Sequence, residues 1–405
     1  MSEYFDVVVI GAGPAGLATS RELARRGVDH VVLERGDCVG YSWANLYESL
    51  ILHTGKHMSA LPGMRLPRSA PLFVPRAEFV HYLTDYAGRF RLPVRTGWRV
   101  TGVDRLTSEQ GRWRVSAATP QGPAEIQCRA LVVATGIISN PRVPVIAGAD
   151  EFERGGGELL HAVEYRAPHA FFGKRVLVVG VGNSGGEIAS ELARMGNANG
   201  NVTDVTVAVR SGANVVPREI LGVPVQYLAR YIGKLPRKAR EKVVRLVGRI
   251  VEKRRGPPVL PRPAHGPLDA IPLIGFHLVD AIRAGLVRVR GGIDRLTRSG
   301  VVFADARTPA ELPFDVVILA TGYSAALAPL GQLIRVDAKG FAVRHDRVES
   351  ADHDDLYFVG HNYDATGGLF NIARDARIVA ARIIESGAIA RTRPSRPITE
   401  HSQRA

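Results

Sequence analysis

Two glycine-rich turns carry the first chemical signal in this 405-residue chain. Gly11-Ala12-Gly13-Pro14-Ala15-Gly16 and Gly180-Val181-Gly182-Asn183-Ser184-Gly185 share the spacing GxGxxG. In such a turn the first glycine makes a tight bend, the second lets a pyrophosphate approach the backbone, and the third lets helix and strand pack closely. The helix N-terminus adds amide donors and partial positive charge. The residue closing the next strand then selects the nucleotide. Glu34 stands 23 residues after Gly11, where a carboxylate accepts hydrogen bonds from both ribose hydroxyls and selects an adenosine without a 2′-phosphate. In the second unit the comparable place holds Arg210-Ser211, a cation and a hydroxyl suited to a 2′-phosphate. The first turn is therefore expected to hold FAD through Gly11, Gly13, Pro14, Ala15, Gly16, Glu34 and Arg35. The second is expected to hold NADPH through Gly180, Gly182, Asn183, Ser184, Arg210 and Ser211; a solvated surface arginine is the competing reading of Arg210.

These residues need particular elements to place them. Val7-Val8-Val9-Ile10 is a short, wholly apolar β-branched run, as in a strand buried on both faces of a parallel sheet. Leu17 to Arg26 then reads as a helix, Gly27 as its stop and Val31 to Glu34 as a second strand, which completes a βαβ unit. The pattern recurs as a strand at Arg175 to Val179, a helix from Glu187 to Met195, a loop from Gly196 to Asn201 and a strand at Val205 to Val209. Two further strands end in one tripeptide: Leu131-Val132-Val133 runs into Ala134-Thr135-Gly136, and Val316-Val317-Ile318-Leu319 into Ala320-Thr321-Gly322. The expected fold is α/β, with two Rossmann-like dinucleotide-binding domains and the NADPH domain inserted into the FAD domain. The expected boundaries are 1–165, 166–315 and 316–405, with Thr135, Gly136, Thr321 and Gly322 at the cofactors. Residues 256–272 are rich in Pro and Gly and are expected to be irregular; the tail from Arg391 is expected to fray.

Composition excludes other classes. With 45% apolar and 23% charged residues the chain is neither disordered nor collagen-like. Two cysteines, Cys38 and Cys128, cannot build a disulfide framework, a CxxC redox pair or a cysteine-rich zinc site; no metal site is expected, and a disulfide reductase is excluded. No apolar run reaches the roughly 18–20 residues of a membrane span, and no basic region precedes the first apolar stretch, so a cytoplasmic protein is expected. The net charge of +14 is mostly local: residues 230–255 hold eleven basic residues and two acidic ones. A helix is expected from Arg237 to Arg254, with Leu235, Ala239, Val243, Leu246, Val247, Ile250 and Val251 near one face. It reads as a solvated surface helix, as a peripheral membrane contact or as an acidic-partner contact; no nucleic-acid partner is expected.

Further motifs accompany the two turns. They are Leu52-His53-Thr54-Gly55-Lys56, Phe73-Val74-Pro75-Arg76-Ala77-Glu78-Phe79, Val216-Pro217-Arg218-Glu219, Arg262-Pro263 with Gly266-Pro267-Leu268, Gly292-Ile293 and Ala320-Thr321-Gly322-Tyr323. On these the chain resembles the class B flavin-dependent monooxygenases, most closely the YUCCA-like indole-3-pyruvate monooxygenases. The family fingerprint FxGxxxHxxxY falls on Gly155, Gly157, His161 and Tyr165, with Gly155 where the family has Phe.

The resemblance implies that NADPH reduces FAD, that dioxygen forms a C4a-hydroperoxyflavin, and that NADP⁺ stays bound to keep water out. It implies a small organic substrate such as a 2-oxo acid, indole-3-pyruvate being the example, with N- or S-oxygenation as the alternative. A flavin-dependent NADPH oxidase or reductase without oxygen transfer, and a nucleotide-sensing module, are the rival readings. Where YUCCA-like sequences continue Pro-Val-Leu-Asp-Val-Gly, this chain has Pro272-Leu273-Ile274-Gly275-Phe276-His277. By resemblance Trp43 and His53 pass the flavin ring, and His53 either hydrogen-bonds flavin, coenzyme or oxygen adduct or packs beneath the ring. Asn183 and Ser184 either reach the nicotinamide or cap the helix at Glu187. Gly360 and the segment 367–371, with Leu369 and Asn371, are expected on the flavin's other side, a plain β-turn being the other reading of the segment. His161 and Tyr165 are expected to brace the link between domains. His53 and Asn183 are the candidate catalytic residues.

Overall fold

Four consecutive apolar residues without alternation end β1 (Glu3–Ile10) because that strand is covered on both faces. The fold is taken from a computed structural model, which describes residues 3–107, 112–198, 203–263, 266, 272–304, 311–362, 364 and 366–386. Asn199, Gly200 and Asn201 of the expected loop, Pro267-Leu268 and the tail from Arg391 lie outside the described residues. The chain turns at Gly11 into α1 (Pro14–Ala24), whose proline occupies a first-turn position where no intrahelical N–H is needed. Next come β2 (His30–Leu33), α2 (Arg76–Arg89), β3 (Val94–Arg95), β4 (Arg99–Arg105), β5 (Trp113–Thr119) and β6 (Gly122–Val133). They form a sheet in the order β3-β2-β1-β6-β5-β4. The long β6 serves two arrangements: its first part pairs antiparallel with β5, and its last part runs parallel to β1 with Val7 opposite Ala130 and Ile10 opposite Val133.

A short strand, β7 (Asn140–Pro141), leads into the second unit. This contains α3 (Ala149–Arg154), β8 (Glu158–His161), β9 (Arg175–Val179), α4 (Asn183–Ala198), β10 (Asp204–Ala208), α5 (Val225–Ile232), α6 (Arg237–Arg255), α7 (His277–Arg283), β11 (Val287–Arg290) and β12 (Val316–Leu319). Its five-stranded sheet is parallel throughout, in the order β11-β10-β9-β12-β8. The chain then returns through β13 (Tyr323–Ser324) to β14 (Leu356–Phe358), which pairs parallel with the end of β6, and to α8 (Gly368–Glu385), which packs on α1.

The insertion is wider than 166–315. Glu158–His161 and Val316–Leu319, placed by sequence in the first domain, pair with each other inside the second sheet. The crossing lies instead at β7 and β13, which pair antiparallel with Tyr323 opposite Pro141. An apolar run ending in Ala-Thr-Gly shows where a strand ends, but not which sheet it joins. The two threonines lock this crossing: Thr135 Oγ1 donates to the Ala326 carbonyl at 2.8 Å, and Thr321 Oγ1 to the Arg142 carbonyl at 2.5 Å.

Candidate active site

The two glycine turns repeat one geometry. Gly11 and Gly180 have φ of +103° and +99°, and a Cβ on them would stand 2.6 and 2.7 Å from the carbonyl oxygens of Ala134 and Ala320. A Cβ on Gly16 or Gly185 would strike the carbonyl of Gly11 or Gly180 at 1.8 and 2.1 Å. Gly13 and Gly182 would meet nothing within 4 Å. The first and third glycines are thus required by packing, and the middle one leaves open space at a helix N-terminus, as a pyrophosphate cradle demands.

A cavity of about 850 Å³ joins the two units. The first unit contributes Gly11, Gly13, Pro14, Ala15, Glu34, Arg35, Trp43, His53, Thr135, Gly136, Gly360 and Leu369, and the second Asn183 and Ser184. The fit to FAD is good. Glu34 Oε2 accepts from the Ala12 amide at 2.7 Å and Oε1 from the Gly36 amide at 3.0 Å, which fixes the carboxylate and leaves each oxygen a further acceptor site. Trp98, whose amide donates to the Glu34 carbonyl, lines the same end. Gly368 and Leu369 reach the cavity from the first turn of α8, where N–H groups lack intrahelical acceptors, so the segment is a helix start and not a plain turn.

Other expected residues lie away from the cavity wall. Gly16, Gly180 and Gly182 shape the turns, and Thr321-Gly322 belong to the crossing. Arg210 and Ser211 are exposed beyond β10; among the described residues Arg210 has no hydrogen-bond or carboxylate partner, so its guanidinium is free for a phosphate. Asn371 does not face the flavin side: its Oδ1 accepts from Arg347 at 2.9 Å and its Nδ2 donates to the Gly367 carbonyl at 3.2 Å. Arg347 is half-buried, and Asn371 and Asp375 supply its acceptors one turn apart. Asn183 makes no cap at Glu187; its Oδ1 accepts from the Ile274 amide at 2.8 Å, leaving its Nδ2 for a ligand.

His161 accepts at Nδ1 from the Val163 amide, so Nε2 carries the proton and donates to the Gly322 carbonyl at 3.1 Å. Tyr165 donates to Glu191 at 2.8 Å. His161 thus acts at the crossing, whereas Tyr165 packs beside Tyr47 of the first unit, their ring centroids 6.1 Å apart. Gly155 replaces the family's Phe because any Cβ there would strike the Arg298 carbonyl at 1.9 Å, while Phe152 lies against Gly157.

Sequence reasoning missed the groups around His53. Its Nε2 stands 3.3 Å from Glu187 Oε1, and Tyr47 donates its hydroxyl to Glu187 Oε2. The Glu187 carboxylate thus faces Nε2 as an ion-pair neighbour, and Nδ1 is buried with no hydrogen-bond partner among the described residues. Burial lowers the His53 pKa below the ordinary histidine value; Glu187 opposes this, and Arg218 and His277 add to it. Burial, reinforced by Glu187, keeps the Tyr47 phenol protonated. Arg218 donates to the Leu52 carbonyl at 2.8 Å and lies over the Phe73 ring at 4.1 Å. The available signal was spacing: Glu187 follows Asn183 by four residues and shares its helix face.

Comparison with known proteins agrees with this geometry. Residues 5–343 match the model of the family described as flavin-binding monooxygenase-like. Indole-3-pyruvate monooxygenase YUCCA6 of Arabidopsis thaliana is 35% identical over 326 residues, covering 78% of this chain and 76% of that protein. A flavin-containing monooxygenase from Stenotrophomonas maltophilia superposes with a TM-score of 0.72 at 25% identity, over 95% of this chain and 99% of the other. At 20% identity, cyclohexanone monooxygenase from Rhodococcus sp. Phi1 bound to NADP⁺ shares the fold, with a TM-score of 0.69 over 96% and 85% of the two chains.

Proposed function

The chain belongs to the flavin-binding monooxygenase-like family, and on that premise we propose that it oxidatively decarboxylates a small 2-oxo acid of the indole-3-pyruvate type. It is an FAD- and NADPH-dependent monooxygenase. The observation that carries the reading is the single cavity in which the Glu34 end of one nucleotide site and the Asn183-Ser184 end of the other meet at His53. The overall change is R–CO–COO⁻ + O₂ + NADPH + H⁺ → R–COO⁻ + CO₂ + NADP⁺ + H₂O, in which NADPH supplies two electrons and the C–C bond to the carboxylate breaks.

When bound, FAD accepts a hydride from NADPH and delivers two electrons to dioxygen. The chain's own residues hold and enclose these partners. Glu34 binds the ribose, the glycine turns receive the two pyrophosphates, and Arg210 takes the 2′-phosphate. Leu52, Trp43, Leu369 and Ile372 line the cavity with apolar surface and exclude water. His53 accepts a proton at Nδ1 while the Glu187 carboxylate faces Nε2, a base and a neighbouring carboxylate contributed by different units. Arg218, held by the Leu52 carbonyl and the Phe73 ring, places a cation beside His53 and Glu187, and that cation favours an anionic substrate over a neutral amine or sulfide.

The substrate reading is tested by supplying NADPH with a panel of aryl 2-oxo acids, amines and sulfides and measuring gas and product. One CO₂ released per NADPH consumed with an oxo acid is the expected result; product only from amines or sulfides transfers the reading to N- or S-oxygenation. Arg210→Ala is expected to raise the KM for NADPH by roughly 10- to 100-fold, the worth of one charge-assisted phosphate contact, and to leave NADH use nearly unchanged. Equal losses with both coenzymes would place the 2′-phosphate elsewhere.

A further inference from the structure

Among the described residues α6 differs from every other long helix: none of its nineteen residues is buried. Lys238, Lys242, Arg245, Arg249 and Lys253 recur at intervals of three and four and form one cationic face. Val243, Val247 and Val251 form a half-buried row on the inner side, and Leu246 and Ile250 lie exposed between the two rows. Lys238, Lys242, Arg249 and Lys253 have no carboxylate partner among the described residues. The same arm begins with a hairpin, Glu219–Ile220 against Val223–Pro224, whose tip residue Leu221 is 93% exposed at a φ of +50°. Six of the twelve exposed large hydrophobics among the described residues fall within 221–250: Leu221, Val223, Tyr231, Leu235, Leu246 and Ile250.

From this juxtaposition we propose that the hairpin, α5 and α6 form a docking arm for an anionic lipid bilayer. Apolar residues flanked by a cationic row match an interface in which side chains enter the acyl boundary and ammonium and guanidinium groups reach lipid phosphates. The other occupants match less well. A second copy docking isologously would set a strongly basic surface against itself, and nucleic acid gives no burial to Leu246, Ile250 and Leu221. The arm is joined to the rest of the chain beside the cavity: Tyr227 of α5 hydrogen-bonds His57 at 2.8 Å, and Arg230 lies 5.4 Å from the Phe370 ring. At its far end Arg255 pairs with Asp280 at 2.8 Å and stacks on Phe276 at 4.0 Å. Docking therefore sets the lipid surface beside the wall formed by residues 53–57 and 368–370.

The test is flotation of the full-length, FAD-loaded protein with phosphatidylcholine vesicles, with and without phosphatidylglycerol, at low and high salt. Binding to the anionic vesicles at low salt, weakened by salt and weak on phosphatidylcholine alone, is the expected result. Two double variants separate the two contributions. Lys242→Glu with Arg249→Glu is expected to weaken binding at least 25-fold, about fivefold for each cation lost. Leu246→Ser with Ile250→Ser is expected to weaken it about tenfold or more. Both should keep normal flavin content and NADPH turnover in solution, which shows that the fold is intact. The proposal is overturned if no flotation occurs at low salt, or if neither double variant weakens it. It is equally overturned if the variants abolish a solution dimer or RNA binding and vesicle binding is absent.

Discussion

Glu34→Ala yields protein that purifies without flavin and regains little on incubation with excess FAD. The carboxylate is fixed by the Ala12 and Gly36 amides and presents its remaining lone pairs to the ribose. Each charge-assisted hydrogen bond of this kind contributes about 1.5–3 kcal/mol. Losing two of them weakens FAD binding by roughly 10²–10⁴-fold. The variant also strands two backbone amides, so its thermal midpoint and NADPH binding are measured beside flavin absorbance to confirm that it folds. Folded protein with an ordinary yellow spectrum would show that the adenosine lies elsewhere.

His53→Ala separates NADPH consumption from product formation. The account expects NADPH to be oxidised, hydrogen peroxide to accumulate, and product per NADPH to fall about 10²-fold, the lower end for losing a positioned acid–base group. The pH profile supplies a second readout. Burial depresses the His53 pKa, so the neutral ring, which is the working form, persists at pH 7 and is lost only as pH falls through a value below 6.5. Glu187 favours the protonated ring, so Glu187→Gln removes that support and moves the acid limb to still lower pH. Linkage gives the same sign for stability. The unfolded chain takes up this proton first, so the contribution is complete above the unfolded value near 6.5 and diminishes below it. An acid limb that Glu187→Gln leaves in place would show that His53 only packs against its neighbours.

Much of the fold was legible because its determinants are local. Val7 to Ile10 read as a doubly covered strand, the role of Gly11 follows from its φ of +103°, and that of Gly16 from the nearby Gly11 carbonyl. The basic helix was equally legible, its observed span of Arg237–Arg255 differing by one residue from that expected. The crossing between units was not. Leu131–Val133 and Val316–Leu319 look alike as sequences, but long-range pairing sends one to the first sheet and the other to the second. Asn371 was misread for the same reason, since nothing near it in sequence announces Arg347. Glu187 escaped notice because its partners, Tyr47 and His53, lie about 140 positions away and meet it only when the two units pack. Local stereochemistry writes the nucleotide turns into the sequence; the reacting end is assembled by tertiary contact.

The most direct test of the central claim, that one cavity couples NADPH, flavin and dioxygen to a 2-oxo acid, is product mass under ¹⁸O₂. Turnover of indole-3-pyruvate with NADPH is predicted to place one ¹⁸O atom in the carboxylate of the shortened acid, with CO₂ unlabelled. Product without label, or NADPH converted entirely to hydrogen peroxide in the presence of the oxo acid, would contradict the account.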